Sequence, residues 1–447
     1  MKSVLFIADG FPPVAGAGVK RPLKFMKFLS ATGWRCHVLT ATNDRYLPLD
    51  PSLLAEVAQG TTVHRTYTLE CLFKRRRNGE PPGANVPARG LRSFFDSANL
   101  THTFYKLCGR FVAVPDSYVL WLPSAVRRGY QVCKKHEISV IVATGPSFTN
   151  FLIGALLRKL TGTPLLLDVR DAWVSDPSIR WRSNHLKKLN AKCEQFAVKW
   201  ADRVISTNPF VTKDFIQRYP NKPLATFDTI LNGFDRDDFD FCVAPRPASS
   251  KQFTIVHTGR LYAERTPKHF LQALGQALAK RPAMHHQARV IFVGSCETYL
   301  DGKRVEDYIR EFGLGNVVEL AGRVPRRRSL EYQLEADLLL LLIGIVPPAQ
   351  ALTYGISGKL FDYLLCRKPI LTLANEGATR ELIRSNELGD LFFHEDTDAL
   401  ADYLIRAFDR FVQGQPATPP AIASLAQFDF RSLSQRLAVH LEEISRH

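Results

Sequence analysis

Residues 351–374 read ALTYGISGKLFDYLLCRKPILTLA, and this stretch carries the pattern that decides the fold. Small and polar residues at 354–359 lead into an apolar run at 360–365, which predicts a short helix, and residues 369–373 predict a buried strand. A helix that starts after a glycine turn leaves backbone N–H groups without partners, at the positive end of its dipole. Next to Lys359, such a helix start predicts a phosphate site.

Asp362 lies one turn into this helix, where its carboxylate could accept hydrogen bonds from the vicinal hydroxyls of a ribose. The segment is therefore interpreted as a nucleotide-binding element. An ordinary helix start with a solvated lysine is the alternative, because short glycine motifs are common by chance. A Walker loop is excluded, since Gly355 and Gly358 are too close together and Leu360 replaces the hydroxyl that binds magnesium.

Length and composition indicate a folded protein of two to three domains, with 447 residues of which 45% are hydrophobic. The N-terminus has no signal-type core, so secretion is not expected. The longest apolar run, residues 338–346, is far shorter than the roughly 20 residues that span a bilayer, and it predicts a buried strand.

The eight cysteines have no paired spacing of the metal-binding type, which predicts free thiols in a reducing cytoplasm and no structural zinc. A formal charge of +16 indicates a polyanionic neighbour. Nucleic acid, an anionic membrane surface and a phosphorylated substrate all fit the charge, which does not choose among them.

The N-terminal half begins with a strand at 3–8, a loop at 9–18 and a helix, which is how a doubly wound α/β unit opens. The loop lacks the spacing of a dinucleotide site, so a nicotinamide cofactor is not favoured. Gly16 and Gly18 predict a flexible loop that approaches a ligand closely, or else they merely make the turn.

Further strands are predicted at 35–40, 61–66, 138–143, 164–169 and 203–207. Asp168, Arg170 and Asp171 fall at the carboxyl end of one of them, where parallel sheets bind ligands. A salt-bridged loop is the alternative. A basic run at 74–77 and aromatic residues at 94–111 predict either contact with an anionic membrane or a solvated loop before packed helices.

A charged, aperiodic linker at 236–251 precedes a second alternation of strands and helices, which the opening stretch completes. Arg260 and Arg265 follow its first strand, where they could reach the same phosphates as Lys359. The predicted domains are therefore 1–240 and 241–427, followed by a last helix at 428–447.

Taken together, these motifs resemble the retaining glycosyltransferases of family four, which have the GT-B fold. The resemblance covers nearly the whole chain, and its motifs are Gly16, residues 168–173, 232–235, 259–265, 322–324 and 357–364. It implies two Rossmann-like doubly wound domains that face each other across a cleft. The N-terminal domain would bind the acceptor, the C-terminal domain a nucleotide-sugar such as a UDP-sugar, and the last helix would cross back to the first domain.

The resemblance also implies roles in donor binding. Arg260 and Arg265 would clamp the diphosphate, with Arg265 in the place of a lysine. Asp362 matches the second of two family glutamates, expected at the ribose, and Tyr354 stands in the place of the first. Ser357 and Gly358 would lie at the donor phosphates.

Further positions follow from the same resemblance. The loop of Gly16 and Gly18 would close on the donor phosphate, and the main chain near Val324 would contact the base. Many members have a histidine after the fourth strand, whereas residues 144–147 here read TGPS. No counterpart to that histidine is evident.

The chemistry expected of such a site is electrostatic. Arg260, Arg265 and Lys359 would stabilise the departing diphosphate, so no metal or other cofactor is expected. Asp171 would orient or deprotonate the acceptor, with Asp168 and Arg170 on the acceptor side. Retention need not involve a covalent intermediate, and no nucleophile is assigned.

The expected function is transfer of a sugar to a sugar or lipid-linked acceptor, in surface polysaccharide or lipopolysaccharide synthesis. The enzyme is expected in the cytoplasm, either free or bound at the inner face of the membrane. A nucleotide-sugar epimerase or phosphorylase of the same fold is one alternative. A basic nucleic-acid-binding protein is another, although no binding motif is evident.

Overall fold

The computed structural model describes residues 1–42, 49–68, 114–176, 179, 181–239, 252–299, 301–345, 352–415, 419 and 422–446. The chain forms two compact units. The N-terminal unit comprises Met1–Leu231 and Leu433–His447, and the C-terminal unit comprises Asn232–Ser432. The boundary that the sequence predicts, between residues 240 and 241, lies outside the described residues.

Among the described residues, the N-terminal unit is built on a parallel sheet of seven strands in the order β3-β2-β1-β4-β5-β6-β7. The strands are β1 Lys2–Ile7, β2 Trp34–Thr42, β3 Thr62–Tyr67, β4 Val140–Thr144, β5 Leu165–Val169, β6 Arg203–Ser206 and β7 Phe227–Thr229. The helices described between them are α1 Ala17–Ala31, α2 Leu122–Lys135, α3 Thr149–Thr161, α4 Asn184–Trp200 and α5 Pro209–Arg218.

Local sequence explains these elements. All five residues of β4 and of β5 are buried, as expected of a parallel sheet covered on both faces. Ser183 and Asn208 cap α4 and α5, because their side-chain oxygens accept hydrogen bonds from backbone N–H groups of the first turn. Gly162 ends α3 in the left-handed conformation, with φ of 76°.

The C-terminal unit repeats this plan with a parallel sheet of six strands, β12-β10-β8-β13-β14-β15, and a separate pair, β9 and β11. The strands are β8 Phe253–Thr258, β9 Leu261–Ala263, β10 Ala288–Val293, β11 Cys296–Tyr299, β12 Val318–Gly322, β13 Leu338–Leu342, β14 Ile370–Leu373 and β15 Asp390–Phe392. The helices are α6 Lys268–Lys280, α7 Met284–Gln287, α8 Val305–Glu311, α9 Arg326–Glu335, α10 Gly358–Cys366, α11 Ala378–Ser385 and α12 Thr397–Val412.

The last helix, α13 Phe430–Ile444, carries the chain back to the N-terminal unit. The apolar side chains on one face of this helix are buried, namely those of Leu433, Leu437, Leu441 and Ile444. On its polar side, His440 Nε2 lies 2.8 Å from Asp228 Oδ2, and Arg436 Nη2 donates to the carbonyl oxygen of Thr229 at 2.9 Å. Both contacts join the helix to β7.

Both main sheets contain the Rossmann strand order 3-2-1-4-5-6 when their strands are counted within each unit, and the N-terminal sheet adds β7 at its edge. Two Rossmann-like doubly wound α/β domains were predicted, and the structure confirms both. The order reverses between β1 and β4 in one unit and between β8 and β13 in the other. Ligands of such sheets bind at this reversal, beside the carboxyl ends of the strands.

Some expectations concern regions that the structure does not describe. The basic run at 74–77, the aromatic residues at 94–111 and most of the linker at 236–251 lie outside the described residues. Residues Arg236–Phe239 form a 3-10 turn. The five described cysteines are free thiols. Among the described helices, none is both long and apolar enough to cross a membrane.

Candidate active site

The loop that follows β8 places two arginines against one aromatic ring. The guanidinium carbons of Arg260 and Arg265 lie 4.9 and 5.3 Å from the ring centroid of Tyr262, which belongs to β9. The backbone N–H of Arg265 donates to the carbonyl oxygen of Tyr262 at 2.6 Å, so the loop turns back on itself. Cation–π attraction holds both charges at this turn.

Lys359, in the first turn of α10, extends across this loop at Gly259. A Cβ atom on Gly259 would lie 2.3 Å from Cε of Lys359, so no larger residue fits without moving the lysine. Gly259 also has φ of +104°, a conformation that side chains disfavour. Since β8 and β13 flank the reversal of strand order, the loop and α10 lie where a Rossmann-like sheet binds its ligand.

Arg260, Arg265 and Lys359 differ in whether a carboxylate neutralises them. Arg260 is exposed and forms two hydrogen bonds with the carboxylate of Glu297 on β11, at 2.6 and 2.7 Å. Neither Arg265 nor Lys359 forms a salt bridge with any described residue, and Nε of Arg265 is buried without a hydrogen-bond partner among them. Desolvation, and secondarily the charge of Arg265, lower the pKa of Lys359 well below its ordinary value.

The segment before α10 is held in place by the start of α11, which the sequence interpretation missed. Thr353 donates its backbone N–H to the carbonyl oxygen of Glu376 at 2.9 Å, and Thr379 Oγ1 donates to that of Gly355 at 2.8 Å. Ser357 precedes α10, and its side chain makes no capping hydrogen bond to it. Gly358 is the first residue of the helix, and Tyr354 is half-buried in the segment before it.

Asp362 is paired with an arginine that was not predicted to belong to the site. Arg326 stands at the start of α9. Its Nη1 lies 3.3 Å from Asp362 Oδ2, and its Nη2 lies 2.8 Å from Asp238 Oδ2. Burial disfavours the charged guanidinium, but the two carboxylates hold the pKa of Arg326 above its ordinary value. Arg326 therefore fixes the orientation of Asp362. Val324 is half-buried in the short connection between β12 and α9.

In the N-terminal unit, Asp168 is a buried framework residue. Its carboxylate accepts hydrogen bonds from Nε of Arg21 at 3.0 Å and from Thr144 Oγ1 at 2.7 Å. Arg21, on α1, also donates to the carbonyl oxygens of Ile230 and Leu231 at 2.8 and 2.7 Å. With 1% of each residue exposed, this ion pair joins α1 to the carboxyl edge of the sheet.

Arg170 and the two glycines of the first loop meet at the same edge. Nη1 of Arg170 donates to the carbonyl oxygen of Gly18 at 2.8 Å, and desolvation lowers the pKa of the guanidinium. Helix α1 begins at Ala17 rather than at Val19 as predicted, so Gly18 lies in its first turn and Gly16, with φ of +154°, precedes it.

Two carboxyl groups with raised pKa values lie at this edge. Asp171 is exposed in the loop after β5, yet the surrounding protein desolvates its carboxyl and raises its pKa, while Arg170 acts in the opposite direction. Asp9, which follows β1 and was not predicted as a site residue, accepts a hydrogen bond from Asn150 Nδ2 at 2.9 Å. Desolvation raises its pKa as well.

Three histidines, His37, His64 and His136, each bring one ring nitrogen within 4.8 Å of the others. Nδ1 of His37 lies 3.3 Å from Nε2 of His64 between nearly parallel rings, as in a hydrogen bond between neutral imidazoles. Desolvation lowers the pKa of both residues to about 4, and the guanidinium of Arg128 lies 3.5 Å from His64. A guanidinium so close to His64 disfavours the binding of a metal ion there. We therefore interpret the three histidines as residues that pack against each other.

Comparisons with known proteins agree with this geometry. Residues 252–410 match the family described as glycosyl transferases group 1, and residues 20–226 match a glycosyl transferase 4-like domain. No curated protein matches the chain.

Solved structures share the fold at low sequence identity. HepE of Anabaena in complex with UDP has a TM-score of 0.59 and 18% identity, and the match covers 99% of this chain and 100% of that one. Sucrose-phosphate synthase of Thermosynechococcus elongatus has a TM-score of 0.61 and 17% identity, with 99% of each chain covered. A glycosyltransferase of Rickettsia africae has a TM-score of 0.62 and 14% identity, with 99% and 98% covered.

The matched regions fall on the two Rossmann-like units, and the cations of the second unit lie at its reversal of strand order. The chain belongs to the group 1 glycosyltransferases.

Proposed function

We propose that the protein transfers a sugar, with retention, from a nucleotide-diphosphate sugar to a sugar or lipid-linked acceptor. The observation that carries this proposal is the pair of Arg265 and Lys359. These two half-buried cations lie close together at the ligand edge of a Rossmann-like sheet, and neither has a carboxylate partner among the described residues. Such an arrangement is unfavourable unless an anion binds there.

A UDP-sugar is the donor that we propose. Solved structures of HepE contain UDP, UDP with glucose, and UDP-glucose. In this chain, Asp362 is oriented by Arg326 and is proposed to accept hydrogen bonds from the ribose hydroxyls. The main chain at Val324 is proposed to contact the base, and Ser357 and Gly358 to present backbone N–H groups to the phosphates.

The reaction breaks the bond between the anomeric carbon and the diphosphate oxygen, so negative charge grows on the departing diphosphate. Arg260, Arg265 and Lys359 stabilise that charge in this proposal, together with the amides at the start of α10. The oxygen of the acceptor hydroxyl bonds to the anomeric carbon, and its proton passes to a base, which is either Asp171 or the departing diphosphate. The mechanism requires no metal, no other cofactor and no covalent intermediate.

Asp171 is proposed to orient the acceptor or to take its proton, because its carboxyl is exposed at the ligand edge and has a raised pKa. Arg170 supports the loop at Gly18, which is proposed to approach the donor phosphate together with Gly16. Asp168, which was expected on the acceptor side, is given a supporting role, since its carboxylate is buried against Arg21.

Replacing Arg265 with alanine tests the diphosphate site. We expect Arg265→Ala to weaken UDP binding about 10- to 100-fold, because a hydrogen-bonded charge contact is lost. Isothermal titration calorimetry measures the affinity, and circular dichroism checks the fold. The matched control is Arg281→Ala, which removes an exposed arginine that pairs with Asp409 in the same unit. Equal affinity of both variants would contradict the proposal.

The acceptor is proposed to be lipid-linked, in surface polysaccharide or lipopolysaccharide synthesis at the inner face of the membrane. The net charge of +16 supports this, since it favours contact with anionic lipid. We expect the protein to co-sediment with vesicles that contain phosphatidylglycerol, to be released by salt, and to leave phosphatidylcholine vesicles unbound. Equal recovery with both lipids would count against the membrane contact.

An epimerase or phosphorylase with this fold would act differently on the donor. An epimerase consumes the UDP-sugar without any acceptor, and a phosphorylase requires phosphate. Incubating the protein with UDP-sugar alone, with phosphate, and with acceptor therefore separates these alternatives from a transferase.

A further inference from the structure

The hydrogen bonds around His257 determine which of its nitrogens carries the proton. His257 is fully buried on β8, and its Nδ1 lies 2.9 Å from the carbonyl oxygen of Leu340 on β13. A carbonyl oxygen only accepts, so Nδ1 must carry the hydrogen. Nε2 of the neutral ring is then an acceptor, and Nζ of Lys359 lies 3.2 Å from it. Lys359 therefore donates to His257.

This imidazole is itself held rigidly. Strand β8 is central in its sheet, between β10 and β13. The next residue, Thr258, donates its backbone N–H to the phenol oxygen of Tyr363 at 2.9 Å, and the ring of Phe292 lies 6.0 Å from that of His257. The side chain of Lys359 therefore lies over Gly259, and its ammonium group contacts Nε2 of His257. The charge of Arg265 lies close to the same ammonium group.

We propose that His257 is a positioning residue, whose Nε2 fixes the ammonium group of Lys359 beside Gly259 so that its remaining N–H bonds are directed at the diphosphate of the donor. This inference rests on the proposed function of the site.

The chemical nature of the partner supports this role. A carboxylate in the place of His257 would orient Lys359 equally well, but it would neutralise the charge that a diphosphate needs. A neutral imidazole accepts one hydrogen bond and leaves the positive charge available. Arg260 shows the contrasting arrangement, because Glu297 pairs with it directly.

The test compares His257→Phe, which keeps a flat ring but removes both nitrogens, with His257→Gln, which offers an amide oxygen to Lys359. Calorimetry measures the affinities for UDP and for UMP, which lacks the second phosphate. We expect His257→Phe to lower the preference for UDP over UMP about tenfold, and His257→Gln to restore most of it.

A double-mutant cycle shows whether the effect passes through the lysine. In a Lys359→Met background, His257→Phe should change UDP affinity less than twofold, because there is no ammonium group to position. An equal loss in both backgrounds would overturn the inference and indicate a packing role.

The wild-type protein gives an independent readout if a variant does not fold. The ¹⁵N chemical shifts of His257 should show hydrogen on Nδ1 and none on Nε2, and the Nε2 shift should move when UDP binds. Hydrogen on Nε2 would overturn the inference. Wild-type protein that binds no nucleoside diphosphate would refute the proposed function itself, whereas an unchanged UDP preference in His257→Phe would refute only the role of His257.

Discussion

At the scale of single residues, Lys359 combines features that favour ligand binding and disfavour folding. Its ammonium group is half-buried beside Arg265 and has no salt-bridge partner in the described part of the chain. The charge is thus only partly solvated, and a neighbouring cation repels it. An incoming diphosphate removes both penalties at once, so we expect this residue to lower the stability of the unliganded protein.

We therefore predict that Lys359→Met raises the free energy of unfolding by about 1 kcal/mol at pH 7 while weakening UDP binding at least tenfold. The folded-state pKa of Lys359 lies below its unfolded value, so the charged lysine destabilises the fold fully below that depressed pKa. The penalty fades as pH rises towards the unfolded pKa. The gain in melting temperature should accordingly be larger at pH 6.5 than at pH 9.5.

A matched control is Lys213→Met, at an exposed position of the N-terminal unit, which should change neither the melting temperature nor UDP binding. Scanning calorimetry at the two pH values measures the difference. If Lys359→Met lowers the melting temperature at pH 6.5, the ammonium group is better stabilised than we infer.

The cations of the candidate site each have a local signal in the sequence, whereas the residues that contact them do not. Arg260 and Lys359 each follow a glycine, and Arg265 lies in the same loop as Arg260, which is a local signal. His257 and Glu297 come from different strands, and their contacts depend on strand order and loop bending. Asp168 was expected on the acceptor side, although its place within the predicted strand 164–169 already indicated the burial that the structure shows.

At the scale of elements, the buried ion pair of Arg21 and Asp168 joins helix α1 to strand β5. We predict that Arg21→Met lowers the free energy of unfolding of the N-terminal unit by about 3–5 kcal/mol, since it leaves a buried carboxylate without its countercharge. Adding Asp168→Asn should restore part of this loss. Urea unfolding followed by hydrogen exchange of β1 and β5 measures both effects.

The exposed pair of Lys280 and Asp402 provides the comparison, and Lys280→Met should leave the urea midpoint nearly unchanged, because solvent screens an exposed ion pair. If the variant with both Arg21→Met and Asp168→Asn loses as much free energy of unfolding as Arg21→Met alone, then lost packing, rather than the unpaired charge, causes the destabilisation.

Whether a strand or helix could be predicted depended on the strength of its hydrophobic pattern. Buried parallel strands such as β13, with five consecutive leucines, could be predicted because both faces are apolar. Strands β9 and β15 have three residues each, too few to show a period. Helix α12 was missed although its buried residues recur at helical spacing, namely Leu400, Ala401, Leu404 and Phe408.

At the scale of the whole molecule, the chain leaves the N-terminal unit after Leu231 and returns to it at Leu433. The outgoing and returning segments run side by side within the C-terminal unit. Phe234 donates its backbone N–H to the carbonyl oxygen of Phe428, and Phe430 donates to that of Phe234, both at 2.9 Å. Residues about 200 positions apart are thus joined, and a local sequence pattern does not reveal such a pairing.

This connectivity makes the stability of the N-terminal unit depend on the C-terminus of the chain. Leu437 is fully buried on α13, so we predict that Leu437→Ala lowers the free energy of unfolding by about 2–5 kcal/mol. Hydrogen exchange should accelerate in β1, β6 and β7, while β8, β13 and β14 keep their protection.

Two variants serve as controls for Leu437→Ala. Val439→Ala, at an exposed position of the same helix, should have little effect. Leu330→Ala, at a buried position of α9, should accelerate exchange in the C-terminal unit instead. Loss of protection in β8 and β13 by Leu437→Ala would show that α13 does not stabilise the N-terminal unit selectively.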